Sequence, residues 1–226
     1  MSIYQVAIDG PVASGKGTVA KMLARKLGIL CMDTGAIYRG VTVHFIDNEI
    51  DINDPISYNR ALGDIDISVK CIEGATFVFL HGEDITARIR TNEVSVRVPQ
   101  IAKLPEVRAK VLLVQQQVAS GSSLVCEGRD IASVVFPNAR FKFYLTASVR
   151  QRALRRFNEL SNRGEKVTLE QLMQQIADRD HADMTREKSP LVCVPNAIKI
   201  DASRVDAYTV AKRMEKIITK SLSEVQ

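Results

Sequence analysis

The sequence predicts an α/β fold, a parallel sheet flanked by helices and interrupted by a small antiparallel β insert. Three observations carry this. Short apolar runs rich in β-branched residues recur along the chain, separated by stretches with helical apolar spacing. Such alternation of strand and helix is the pattern of a parallel sheet covered on both faces. The stretch Ile65 to Ile89 departs from it, with a period of two around a turn.

Taken in order, Ile3 to Ile8 reads as a buried strand that stops at Asp9-Gly10-Pro11. From Gly15 to Leu27, Val19, Met22, Leu23 and Leu27 fall at helical spacing, and Gly28 suits the helix end. Ile29 to Met32 is a second strand. In the insert, Ile65, Ile67 and Val69 alternate with polar residues, Glu73-Gly74 reads as a turn, and Thr76 to Leu80 returns. Leu124 to Cys126 follows the turn-forming run Ser120 to Ser123, and Phe141 to Leu145 follows Pro137-Asn138. Thr146 suits an N-cap for a helix to about Leu160. Ala197 to Ile200 is a last strand. Ser203 with Asp206 imitates a capping box before a helix striped by Val210, Met214, Ile217 and Ile218.

At 226 residues, the chain fits one domain, or one with a small insert, at roughly 100–200 residues per domain. Apolar residues at 46% and charged residues at 25% are the usual globular mix. No apolar run is long enough to span a membrane, and Met1 to Gln5 lacks the features of a secretory signal, so a cytoplasmic protein is expected. The 31 basic and 26 acidic residues give +5, which suits an anionic ligand as well as a weak nucleic-acid surface. Aromatics at 5% and no Trp argue against a base-stacking surface, so no nucleic-acid partner is expected. Cys31, Cys71, Cys126 and Cys193 are scattered, and His44, His81 and His181 show no ligand spacing. Free thiols are expected rather than a zinc site or a disulfide framework.

Gly10, Pro11, Val12, Ala13, Ser14, Gly15, Lys16, Gly17 and Thr18 lie between a strand and a helix. This is the G-x-x-x-x-G-K setting of a phosphate-binding loop. Its backbone N–H groups turn inward around phosphate oxygens, and the helix N-terminus adds its positive dipole end. Lys16 is then placed for the β and γ phosphates of a nucleotide, and Thr18 for a Mg²⁺ ion. Gly17 stands where the strict pattern has Ser or Thr. The same residues contain Gly15-x-Gly17-x-x-Ala20, with Asp33 further on, which imitates a dinucleotide fingerprint. Six residues separate Ile8 from Gly15, too many for that reading, and a Lys has no dinucleotide role.

GTPase base-reading and switch motifs are missing from the sequence, and arginines beside carboxylates stand out instead. Asp33 to Arg39 and Glu127 to Asp130 follow strands, where α/β sheets bind ligands. Arg150, Arg152, Arg155, Arg156 and Arg163 crowd one helical segment, followed by Arg179, Asp180, Asp183 and Arg186. For single members of that crowd, a solvated helix face is an equal alternative. Asp178, Asp180 and Asp183 read as surface charge rather than a metal cluster. Joining two phosphate-bearing substrates requires several negative charges to be neutralised and the oxygens held in line. Arg suits this, because its planar fork binds phosphate bidentately. A phosphate acceptor needs no general base, so the pattern favours a phosphate acceptor over an alcohol.

The ordered set Gly10-Pro-x-x-Ser-Gly-Lys-Gly-Thr, Asp33-Thr-Gly-Ala-Ile-Tyr-Arg39, Ile89-Arg-Thr-Asn-Glu-Val94, Val107-Arg108, Glu127-Gly-Arg-Asp130 and Val134-Val-Phe-Pro137 resembles the bacterial cytidylate kinases, from about Ile3 to Leu222. The resemblance implies a P-loop nucleoside-monophosphate kinase fold. It would be one unit over 1–226, with a nucleotide-binding subdomain at about 36–105, a helical LID at about 157–185 and a CORE in the remainder. It implies transfer of the γ-phosphoryl group of MgATP to CMP and dCMP. The enzyme would be a monomer, and LID closure would exclude water.

By the same resemblance, Thr34 and Tyr38 help recognise the monophosphate, and Arg39, Arg129 and Arg179 grip its phosphate. Arg108 and Asp183 read the cytosine edge, Asp130 orients the sugar, and Arg186 assists near the phosphates. Lys16, Arg129, Arg155 and Arg186 are the expected catalytic residues. Another acceptor, UMP or an alcohol such as shikimate, is the alternative. Departures are Ala13 for a usual Gly, tolerable where its φ is negative, and Ala132-Ser133 for Gly-Thr. Pro99 stands where the family often has a Ser that contacts the base, which predicts weaker rejection of UMP.

Overall fold

The computed structural model describes residues 3–72, 75–162 and 164–224. The predicted turn at Glu73-Gly74 and Arg163 lie outside the described residues. The chain forms two compact units, one of residues 1–3 and 29–124, the other of residues 4–28 and 125–226. The first contains all of 36–105 and the second all of 157–185.

In the first unit, β2 (Leu30–Asp33) runs directly into α2 (Thr34–Asp47). Asp33 makes that turn by capping the helix, accepting from the Ala36 N–H at 3.2 Å. Val41, Val43, Phe45 and Ile37 of α2 are all buried, and the helix packs against β4, α4 and α5. α3 (Pro55–Asp64) opens with Asp54 as N-cap and Pro55 in its first turn. The insert is three antiparallel strands, β3 (Ile67–Ile72), β4 (Ala75–Leu80) and β5 (Glu83–Asp84), in that spatial order. Thr76, Val78 and Leu80 alternate inward along β4, as its period of two requires. Thr76 also ties the insert to β2: its hydroxyl donates to the Cys31 carbonyl at 3.2 Å and accepts the Asp33 N–H at 3.0 Å. A 3₁₀ turn at Arg88–Arg90, then α4 (Asn92–Ile101) and α5 (Pro105–Ala119), complete the unit.

In the second unit the strands lie in the order β6 (Leu124–Gly128), β1 (Gln5–Asp9), β7 (Phe141–Thr146) and β8 (Ile198–Asp201), flanked by helices. β7 is parallel to both of its neighbours, with Val6 opposite Phe141 and Phe143 opposite Ile198. Val6, Ala7, Ile8, Phe143 and Leu145 are fully buried, which explains why these strands read as continuous apolar runs. α1 (Lys16–Leu27) packs on α8 (Ala207–Ser223), and α6 (Val149–Ser161) on α7 (Leu169–Thr185). Ala153 and Leu160 meet Leu172 and Ile176 in a small core that also takes in Val12 and Ala13 of the loop.

Two expected caps are corrected. Thr146 ends β7, because its carbonyl accepts the Ala202 N–H at 2.7 Å and holds it extended. Ser148 caps α6 instead, accepting from Gln151 N at 3.3 Å. Before α8, Asp206 alone is the cap, accepting from Thr209 N at 2.7 Å. Ser203 is engaged elsewhere, donating to Asp201 at 2.6 Å and accepting from Ser148 N at 2.9 Å. The first and last strands sit one or two residues later than expected. The two-residue β5 was not expected.

Candidate active site

The second unit builds a phosphate cradle from local chain geometry. β1 ends at Asp9 and α1 begins at Lys16, so residues 10–15 bridge a strand end and a helix N-terminus. Gly10 permits the close passage of that bridge over β7, since a Cβ there would lie 2.0 Å from the Leu145 carbonyl oxygen. Gly15 adopts φ 92° at the N-cap of α1, where it supplies no side-chain cap. The first-turn amides of a helix are an anion site by geometry and dipole alike.

Lys16 is buried and folds back over the loop. Its Nζ donates to the Pro11 carbonyl at 2.8 Å and to Ser14 Oγ at 3.3 Å. Burial, reinforced by the Arg129 charge, lowers its pKa to about 7, against the pull of Glu127, Asp9 and Asp183. An anion placed beside it restores the charged form. Thr18, one residue beyond Gly17, is exposed in the first turn of α1. Glu127 Oε1 lies 3.3 Å from where a Gly17 Cβ would stand, so a glycine at that place leaves room for the carboxylate. Asp9 is buried at the strand end, where its two oxygens accept Ile131 N–H at 2.8 Å and Ala132 N–H at 2.7 Å. Burial raises its pKa to about 6, although both amides pull the other way.

Arg129, Arg179 and Arg186 converge on one carboxylate. Arg129 Nε donates to Asp183 at 2.8 Å, and Arg179 and Arg186 stand 3.5 and 3.7 Å from it. Arg186 also reaches Asp130 at 3.9 Å and donates from Nε to the Ser189 carbonyl at 2.7 Å. Burial alone would raise the pKa of Asp183, but the three guanidiniums hold it below the usual carboxylate value. Three cations against Asp183 and Asp130 leave a positive excess, suited to a phosphate. Arg155 lies against the loop, donating to the Ser14 carbonyl at 3.1 Å and the Ala202 carbonyl at 2.6 Å.

The remaining expected residues gather in the first unit. Thr34 is buried as the first residue of α2. One turn on, the Arg108 guanidinium stands over the Tyr38 ring, 5.6 Å from its centroid, and donates to the Ala102 carbonyl at 3.2 Å. Arg39 donates to Ser95 Oγ at 2.9 Å and to the Ile89 carbonyl at 3.2 Å. Pro99 lies inside α4, where it removes the backbone donor that would continue the helix ladder.

Residues 6–220 match the family model for cytidylate kinase. The chain belongs to the cytidylate kinase family. It is 40% identical over 220 residues to a cytidylate kinase of Caldicellulosiruptor bescii, covering 97% of each chain. It is 43% identical over 213 residues to one of Streptococcus suis, covering 94% of this chain and 95% of the other. A solved structure from Eubacterium ventriosum, an uncharacterized protein, superposes at a TM-score of 0.53 and 14% identity over 96% of this chain and 99% of that one, which concerns the fold alone.

Against what was expected of a cytidylate kinase loop, one point is overturned. Ala13 has φ 56°, the left-handed region, where the expectation required a negative value. A glycine would adopt that conformation without strain. Asp9 was missed as part of the site; Glu127, Arg152 and Asp180 were named in the arginine and carboxylate pattern without a role, and Asp180 and Asp183 are buried rather than surface charge. Asp9 had one available signal, a lone carboxylate at the end of an apolar strand. Arg152 is 4% exposed rather than on a solvated face, whereas Arg150 is exposed and Arg156 pairs with Glu159. Among the described residues no group of His, Cys, Asp or Glu is arranged to hold a metal, and no helix is long and apolar enough to cross a membrane.

Proposed function

We propose that this chain transfers the γ-phosphoryl group of MgATP to CMP and dCMP, giving ADP and CDP or dCDP, as a monomeric cytoplasmic enzyme. The observation that carries the reading is the convergence of Arg129, Arg179 and Arg186 on Asp183, in the same unit as the buried Lys16. Phosphoryl transfer between two anions needs positioning and charge neutralisation more than covalent chemistry. This set supplies both.

In this reading the amides of residues 13–17 hold the donor's β and γ phosphates, and Lys16 neutralises charge that develops on their oxygens. Arg155 reaches the transferred group from α6. Arg129, Arg179 and Arg186 hold the acceptor's phosphate, Asp130 its sugar, and Asp183 its base. Within the first unit, Thr34, Tyr38, Arg39 and Arg108 serve nucleotide recognition. The acceptor oxygen is already anionic near neutral pH, so no side chain need take its proton.

The donor set fits Mg²⁺. The exposed Thr18 hydroxyl is a hard oxygen ligand at the helix start, and Glu127 Oε1 lies 3.3 Å from where a Cβ of the adjacent Gly17 would stand. Thr18 would hold the ion with the donor phosphates, where it supplies Lewis-acid neutralisation of their charge.

UMP remains the second acceptor to consider, because Pro99 offers neither hydroxyl nor N–H. Phosphorus NMR of a mixture of CMP, ATP and Mg²⁺ with the protein tests the proposal. Equal growth of CDP and ADP, stopped by EDTA, is expected. ADP with inorganic phosphate but no CDP would overturn it.

A further inference from the structure

Val12 is held on both sides, through the peptide before it and the peptide after it, by one buried ion pair. Its N–H donates to Asp180 Oδ1 at 3.2 Å, and its carbonyl accepts from Arg152 Nη1 at 3.0 Å. Arg152 and Asp180 meet at 2.6 Å, with side chains only 4% and 11% exposed. Arg152 Nε donates in addition to the Ala147 carbonyl at 2.9 Å. The two residues come from different helices, α6 and α7, and Asp180 is 168 positions from Val12.

An ion pair this deep loses much hydration, so it is retained only where further hydrogen bonds use the remaining donors and acceptors. Here those bonds go to the backbone of the phosphate-binding loop. The next residue, Ala13, sits at φ 56°, a conformation that alanine does not favour. Rotation of the Val12–Ala13 peptide would relieve it, and would also swing the loop amides away from a phosphate. Arg152 opposes that rotation by holding the Val12 carbonyl, and Asp180 fixes both the preceding peptide and Arg152 itself. We propose that Arg152 and Asp180 are positioning residues that hold the phosphate-binding loop in its anion-accepting shape, so that their effect falls on the donor nucleotide.

The inference rests on the kinase reading, and the experiment separates the two. Steady-state rates of the full chain are measured against MgATP and against CMP for the wild type, Asp180→Asn and Arg152→Lys. MgATP binding is titrated calorimetrically in parallel. Asp180→Asn keeps the shape of the side chain and removes its charge. It is expected to raise KM and Kd for MgATP about tenfold while KM for CMP stays within threefold. Arg152→Lys keeps the charge but loses the fork that reaches two carbonyls at once. It is expected to raise the MgATP values about threefold, and it decides the matter if Asp180→Asn does not fold. Unchanged MgATP values in a folded variant, or equal rises for both nucleotides, would overturn the inference. A wild-type chain that binds no MgATP would overturn the kinase reading and the inference together.

Discussion

Arg129 donates its Nε–H to the Asp183 carboxylate across 2.8 Å, joining residues 54 positions apart in the chain. The contact carries a guanidinium from the end of β6 to the one carboxylate that Arg179 and Arg186 also face. Arg129→Met removes the fork while keeping much of the stem, and should lower kcat about 10²–10³-fold, the usual effect of losing one donor to a developing charge. Steady-state kinetics, with circular dichroism as the control for folding, checks it. Because Asp183 titrates below its ordinary 3.8, its stabilising contribution holds above that pH and is lost only as pH falls through its lowered value. An activity loss found between pH 6 and 7 would therefore have another cause.

Lys16 gives a pH signature of its own. Its pKa falls from 10.5 to about 7 in the folded chain, so the unfolded chain binds more protons between those values. The nucleotide-free protein should therefore gain stability as pH rises across that window. Nucleotide phosphates restore the charged form, so MgATP binding at pH 8 should take up a proton. Calorimetry in two buffers of different ionisation enthalpy measures this uptake. It should vanish in Lys16→Met, and Lys16→Ala should lower kcat by orders of magnitude with the fold intact.

Ala13 at φ 56° is strained where glycine would not be. Ala13→Gly should stabilise the chain by roughly 0.5–1 kcal/mol, the relief of left-handed strain less the entropy added to the unfolded state. That corresponds to about 2 °C in Tm at this size. A fall in Tm would contradict the backbone conformation assigned to the loop.

Pro99→Ser restores a hydroxyl and an N–H on α4 together. One hydrogen bond is worth about 0.5–1.5 kcal/mol. The ratio of kcat/KM for CMP over UMP should therefore rise by up to about tenfold. A wild-type preference already above roughly 10³, about 4 kcal/mol, would contradict the role given to Pro99.

The parallel strands were legible because burial on both faces leaves continuous apolar runs, as Val6 to Ile8 and Phe143 to Leu145 do. The loop was legible because its residues are contiguous and each has a local reason to be there, such as Gly10 under the Leu145 carbonyl. The caps of α6 and α8 were missed because short polar residues crowd both boundaries. Only strand pairing at Thr146 and the Asp201–Ser203 contact decide which of them caps. Arg152 and Asp180 were unreadable as a loop clamp for another reason. On the helix surface Arg152 looks like its exposed neighbours, and its partner lies in a different helix. The φ of Ala13 depends on that same distant contact.

The central claim is that a cytidine monophosphate held at the arginine-lined site accepts the γ-phosphoryl group of MgATP. The most direct measurement is ADP release with CMP, dCMP, UMP, AMP and shikimate as acceptors, compared by kcat/KM. The account predicts turnover of CMP and dCMP, weaker turnover of UMP, and none of shikimate. UMP or AMP turned over as well as CMP, or shikimate alone turned over, would contradict it.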